Sequence, residues 1–221
     1  MRIRSGRELA PLIDHTVLRL DASEAEVERA CDDALVYGFA GVCVRESHLA
    51  RVAARLAGRG PRAVAVADFP LGAATTARRI EEVRRLVGLG ADEIDVVYPL
   101  PAMAARWHRE ALRDLEAVVQ AAGAAPVKVI LETGALTDAE KAAACAIAVA
   151  AGAAYVKTST GFGPGGATEA DVALLRAIGG PAVGVKASGG IRTAADASRL
   201  VGAGATRIGA SASVAIVSGP T

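Results

Sequence analysis

Eight times along this chain a short, continuously apolar run gives way to a stretch whose apolar residues recur with a period near 3.6. The first run lies in LAPLIDHTVL and ends at Asp14, His15 and Thr16; the helix after it begins at Ser23, where Ser23 and Glu26 form a capping-box signature. GVCVR (41–45) precedes a helix over 46–56, AVAVADF (63–69) one over 75–87, and EIDVVY (93–98) one over 102–121. VKVILE (127–132) precedes 138–150, YVKTS (155–159) precedes 169–178, and AVGVKAS (182–188) precedes 194–201. The last run, TRIGAS (206–211), is followed only by the brief segment SVAIVSG. Strands apolar throughout are those covered on both faces, and strict alternation with helices leaves no hairpins for an antiparallel sheet. Eight such units in 221 residues predict an α/β fold of the (β/α)8 TIM-barrel type, with residues 1–221 as a single domain. A dinucleotide-binding sheet would place a Gly-x-Gly-x-x-Gly turn after the first strand, and IDHTVLRLDA has none.

In a barrel of this kind chemistry gathers at the C-terminal ends of the strands, which here carry Asp14, Cys43, Asp68, Asp95, Glu132, Lys157 and Lys186. Lys157 follows the apolar AAYV, just ahead of the glycine-rich TGFGPGG, and Lys186 in AVGVKASGG repeats the pattern one unit later. For one such lysine, snorkelling out at a strand end is the ordinary alternative. Two on consecutive strands, about 4.8 Å apart, point to a site. Neighbouring cations disfavour each other's charge, so one amine can be neutral and add to a carbonyl as a Schiff base, an electron sink. Asp95, a carboxylate inside the apolar IDVV, is expected to face inward, and with Lys186 it can move protons on and off the adjacent carbon.

Ser188-Gly189-Gly190 and Gly209-Ala210-Ser211 follow the seventh and eighth strands, the usual phosphate position of this fold. Glycine lets backbone N–H groups approach phosphate oxygens; ordinary turn glycine is the alternative for either loop alone. TGFGPGGAT (160–168) is long and glycine-rich and is expected to be mobile, able to close over a substrate.

A net charge of +1, from 25 Lys+Arg scattered against 24 Asp+Glu, argues against nucleic acid or an anionic membrane as partner. Three Phe, three Tyr and one Trp are too few for base-stacking platforms. Cys31, Cys43 and Cys145 are widely separated and read as reduced, buried thiols, while His15, His48 and His108 lack metal spacing and read as structural or exposed. No metal and no cofactor is expected. Without a signal-like or membrane-length apolar stretch the chain is expected to be soluble and cytoplasmic.

LIDHTVL, GVCV, DFPLGA, ADEIDVVYPL, VKVILETG, YVKTSTGF, VKASGGIRT and RIGAS, in this order across nearly the whole chain, resemble the class I deoxyribose-phosphate aldolases. The resemblance implies reversible cleavage of 2-deoxy-D-ribose 5-phosphate to D-glyceraldehyde 3-phosphate and acetaldehyde. It implies that Lys157 forms the Schiff base, that Asp95 and Lys186 are the proton-transfer pair, and that Lys186 lowers the pKa of Lys157. It further implies that Asp14, Cys43 and Thr158 line the substrate pocket, that Gly161, Gly189, Gly190, Gly209 and Ser211 contact phosphate, and that the protein is a homodimer or homotetramer. Three departures stand out: Asp68 where such aldolases usually have glycine, expected to disturb substrate entry or local charge; Arg19 for lysine; and the ending IVSGPT, which lacks a C-terminal tyrosine and puts a tail-assisted proton step in doubt. Another lysine-dependent aldolase with a different acceptor or donor, or a barrel that binds a phosphosugar without turning it over, are the alternatives.

Overall fold

A computed structural model describes residues 6–219. The charged lead before Gly6 and the end of the tyrosine-free tail, Pro220 and Thr221, lie outside the described residues. Eight parallel strands, β1 (Ile13–Val17), β2 (Gly41–Val44), β3 (Arg62–Ala67), β4 (Glu93–Val97), β5 (Val127–Ile130), β6 (Tyr155–Lys157), β7 (Gly184–Ser188) and β8 (Arg207–Ala210), pair in sequence order. The barrel closes where Asp14 of β1 sits opposite Gly209 of β8. Helices alternate with the strands: α1 (Glu24–Tyr37), α2 (Glu46–Leu56), α3 (Thr76–Gly88), α4 (Leu100–Ala104), α5 (His108–Ala122), α6 (Asp138–Ala150), α7 (Glu169–Gly179), α8 (Ala194–Gly202) and α9 (Ser213–Ser218). This is the (β/α)8 architecture expected from the pattern.

The helices form where propensity, capping and amphipathic face agree. Ser23 accepts from the N–H of Glu26 and the Glu26 carboxylate accepts from the N–H of Ser23, while Val27, Ala30, Cys31 and Ala34 turn one face of α1 inward. Thr137 with Glu140 and Thr193 with Asp196 repeat the device at α6 and α8. The inward faces meet the outer faces of the strands in one apolar layer that includes Leu49, Leu86, Leu115, Val129, Leu175 and Ile208.

Two segments depart from expectation. The run expected to begin the first strand at Leu9 is a 3₁₀ turn over Gly6–Leu12, and the strand starts only at Ile13. Pro11 has no N–H to donate to a ladder, so the apolar LAPL packs against α9 instead of pairing. The single helix expected over 102–121 is two, α4 and α5, separated at Arg106, which adopts a left-handed φ of 56°. A residue there cannot continue the α-helical ladder, and the Trp107 N–H bonds back to the Ala102 carbonyl at 2.8 Å.

Candidate active site

Because β-strand side chains alternate, the residues facing the barrel axis include Asp14 on β1, Cys43 on β2, Val64 and Val66 on β3, Glu93, Asp95 and Val97 on β4, Lys128 and Ile130 on β5, Tyr155 and Lys157 on β6, Lys186 on β7 and Arg207 on β8. Such interiors are usually filled by branched apolar side chains. Here the β2–β3 side is, where Cys43, Val64 and Val66 cluster with Leu18 and Phe69, and Val97 and Ile130 add apolar bulk at the level of Lys157.

Asp95 is the centre of the other side. Fully buried, it accepts at Oδ2 from both Lys157 Nζ and Lys186 Nζ, each at 2.7 Å, and at Oδ1 from Lys128 Nζ at 2.7 Å. Lys186 also donates to Asp14 Oδ2 at 2.5 Å, and Asp14 Oδ1 accepts from Arg207 Nη1 at 2.7 Å. Below these, Glu93 lies between Lys128, 2.7 Å from its Nζ, and Arg207, whose Nη2 donates at 3.2 Å. Arg207 also stacks 5.5 Å over the Tyr155 ring. Gly209 makes room for the Lys186 stem: a Cβ there would lie 3.1 Å from Lys186 Cε and 2.9 Å from Ser188 Cβ.

The surroundings separate the lysines. Burial removes the Lys157 ammonium from water, and with Lys186⁺ nearby this outweighs the Asp95 charge, so the Lys157 pKa is lowered. Burial acts on Lys186 and Lys128 too, but carboxylates on two sides overcome it and raise both. Asp95 is pulled well below the usual carboxylate range because three lysines outweigh its desolvation, and Asp14 is lowered to about 2 by Lys186, Lys128 and Arg207 against the same opposing effect. The expected influence of Lys186 on Lys157 has the right sign, but desolvation leads it. Desolvation also pushes the Cys43 thiol up to about 11.

Lys157 reaches the floor of an open cavity of about 480 Å³ at the C-terminal ends of the strands. Gly161, Gly189, Gly190, Gly209 and Ser211, the expected phosphate contacts, line it, and Gly189 and Gly190 have φ of 93° and 78°, which L side chains rarely adopt. Phe162 and Arg192, not singled out from the sequence, line it as well. Asp14, Cys43, Asp95, Lys186 and Thr158 do not reach the cavity wall. Asp14, Asp95 and Lys186 lie beneath Lys157 and Cys43 on the apolar side, whereas the Thr158 hydroxyl donates to the Ser188 carbonyl at 3.0 Å and ties the ends of β6 and β7 together.

The loop over 160–168, expected to be mobile, is held at both ends. Thr160 donates to the buried Glu132 carboxylate at 2.5 Å, and the Ala167 N–H bonds the Gly189 carbonyl at 3.1 Å. Phe162 meets Phe69 edge-on, with Arg45 over both rings. Asp68 does not line the cavity either. It takes the left-handed φ of 48° that suits glycine, accepts from the Ala73 and Ala74 N–H groups, and faces Arg79 at 3.4 Å. Arg19 stays at the cavity rim, paired with Asp21 at 3.0 Å. His15, expected to be structural or exposed, lies 3.0 Å from the Ser213 hydroxyl and also lines the cavity. Among the described residues no group of three or more His, Cys, Asp or Glu side chains is arranged to hold a metal ion.

Lys128, Glu93 and Arg207 were legible by the rule that singled out Lys157, a charged residue inside an apolar strand, but all three sit at or near strand starts, away from the ends where chemistry is sought. The chain matches the model of the DeoC/LacD family aldolases over residues 9–218. It is 50% identical over 206 residues to a deoxyribose-phosphate aldolase of Coprothermobacter proteolyticus, covering 93% of this chain and 94% of the relative. It is 49% identical over 210 residues to one of Bacillus cereus, covering 95% and 94%. The tetrameric deoxyribose-phosphate aldolase of Aeropyrum pernix superposes with a TM-score of 0.91 at 34% identity, covering 98% of this chain and 92% of that one.

Proposed function

This chain belongs to the DeoC/LacD aldolase family, and from that premise we propose that it cleaves 2-deoxy-D-ribose 5-phosphate reversibly to D-glyceraldehyde 3-phosphate and acetaldehyde, with Lys157 as the Schiff-base nucleophile. The observation that carries this reading is one buried lysine of lowered pKa at the floor of a cavity whose wall is the glycine-rich end of β7 and β8. The neutral Lys157 amine adds to the aldehyde carbon of the open-chain sugar, and loss of water leaves an iminium. As the C3 hydroxyl gives up its proton, the C2–C3 bond breaks, its electrons passing into the iminium; the aldehyde phosphate leaves and an enamine remains. Protonation of that enamine at C2 and hydrolysis return Lys157 and release acetaldehyde.

Proton transfer falls to Asp95 and Lys186, which their neighbours keep as an anion and a cation, the forms able to accept and to give a proton. Asp14 holds Lys186 in place; Gly161, Gly189, Gly190, Gly209 and Ser211 receive the phosphate through backbone N–H groups. Cys43 and Thr158 shape the wall from behind. No cofactor enters this chemistry. We read residues 1–221 as one aldolase domain acting as a homodimer or homotetramer, for which the tetrameric Aeropyrum pernix protein is the support. No helix among the described residues is long and apolar enough to cross a membrane, and the free, buried Cys31, Cys43 and Cys145 suit a reducing, cytoplasmic setting for a phosphosugar enzyme.

Borohydride reduction in the presence of acetaldehyde, followed by peptide mass mapping, tests the reading. A two-carbon adduct on Lys157 is expected. An adduct on Lys186 would exchange the two lysines, and no adduct on the folded protein would leave a phosphosugar binder without turnover.

A further inference from the structure

The charged groups inside the barrel do not balance. Among the described residues four cations, Lys128, Lys157, Lys186 and Arg207, contact three carboxylates, Asp14, Glu93 and Asp95. A surplus charge in a water-poor interior is costly, and the cheapest relief is for one group to become neutral. Arg207 does not lose its proton in a protein. Lys186 bridges Asp14 and Asp95, and Lys128 bridges Glu93 and Asp95, each with two short contacts. Lys157 alone has a single carboxylate oxygen, the Asp95 Oδ2 it shares with Lys186.

From this arrangement we infer that Glu93, Lys128 and Arg207, which do not reach the cavity, are positioning residues that set the protonation state of Lys157 by fixing the charge count inside the barrel. Lys128 holds Asp95 Oδ1, so Lys157 and Lys186 must share the other oxygen. Glu93 holds Lys128, and Arg207 closes the ladder between Glu93 and Asp14. The inference rests on Lys157 being the nucleophile and adds what makes it one: a cation excess of one, relieved at the least partnered lysine. Among the described residues no other charged side chain pairs with these seven. Of the remaining inward groups, β2 offers the Cys43 thiol, β3 only Val64 and Val66, and β6 the Tyr155 hydroxyl beside Arg207, while Glu132 beyond β5 is turned to Thr160.

Opposite charge changes should therefore move Lys157 in opposite directions, and a paired change should cancel. In Lys128→Met the interior balances with Lys157 protonated, so its pKa rises. In Glu93→Gln a cation remains in excess even with Lys157 neutral, so its pKa falls. In Lys128→Met/Glu93→Gln the count is that of the parent again. The readout is the pH dependence of the rate at which acetaldehyde and cyanoborohydride label Lys157, alongside the acid limb of kcat/KM for 2-deoxyribose 5-phosphate. The expected midpoint shift is up by about one pH unit or more for Lys128→Met, down for Glu93→Gln, and back to within a few tenths of the parent for the double variant. Arg207→Gln, at the partly solvated end of the ladder, shifts the midpoint up by less and decides the matter if the deeper single variants do not fold. Labelling of Lys157 with unmoved midpoints, or with both single variants shifting alike, overturns the inference while leaving the nucleophile in place. Absence of a Lys157 adduct in the parent overturns the proposed function itself.

Discussion

The two sides of the barrel wall are built on opposite principles. Outside, between strands and helices, the buried residues are mostly Leu, Val, Ile and Ala, Arg79 with its partners Asp68 and Asp114 being an exception, and each apolar one contributes through the area it removes from water. Inside, Asp14, Glu93, Asp95, Lys128, Lys157, Lys186 and Arg207 are buried or nearly so, and each is tolerable only because of the others. Removing one partner of such a network typically costs about 3–5 kcal/mol, because a charge is left unmatched. The outer layer makes the fold; the inner one draws on that stability to hold a lysine of lowered pKa beside a carboxylate kept ionised.

The sharpest way to break the contrast is at Lys157. Lys157→Ala is expected to abolish turnover, a loss on the order of 10⁴-fold or more, while thermal stability changes little or rises, because the removed amine is the least partnered of the four basic groups inside the barrel. Steady-state rates and a melting curve check both halves, and substantial retained activity would sink the assignment. Asp95→Asn strikes the centre of the network: kcat is expected to fall about 10²- to 10⁴-fold with KM within a few fold, and the melting temperature falls as well, since three lysines lose their shared anion. A rise confined to KM would contradict a proton-transfer role.

Leu115→Ala, in the outer layer and fully buried, reverses the pattern. Stability is expected to drop by about 2–5 kcal/mol in a denaturant titration, with Lys157 trapped by acetaldehyde at the parent's rate. Asp14 supplies the smallest effect. Its folded pKa, about 2, lies below the 3.8 of an unperturbed aspartate, so the unfolded chain takes up this proton first as pH falls. The contribution, about 2 kcal/mol, is complete above about pH 5 and disappears as pH drops through 3.8 to about 2. Unfolding titrations at pH 5, 3 and 2 should show this loss in the parent and a smaller one in Asp14→Asn.

The alternation of elements was legible because the strands are short runs in which apolar residues predominate and most helices carry a cap that announces them, as Ser23 and Glu26 do for α1. The break at Arg106 was not, since no glycine or proline stands at the residue that takes the left-handed turn. Asp68 could be seen as unusual, yet whether it faced the cavity or braced its own loop depended on Arg79, eleven positions along the chain and brought alongside only by α3.

The sequence by itself determined the barrel, the neighbouring lysines of β6 and β7, and the glycine-rich ends of β7 and β8, because periodicity and strand order are local properties that a closed sheet inherits directly. Only the tertiary structure decided that Lys128, Glu93 and Arg207 stand beneath those two lysines and that Asp95 is shared among Lys128, Lys157 and Lys186. Electrostatic interaction depends on distance and dielectric, and closing eight strands around one axis brings side chains up to 193 residues apart into a single low-dielectric space.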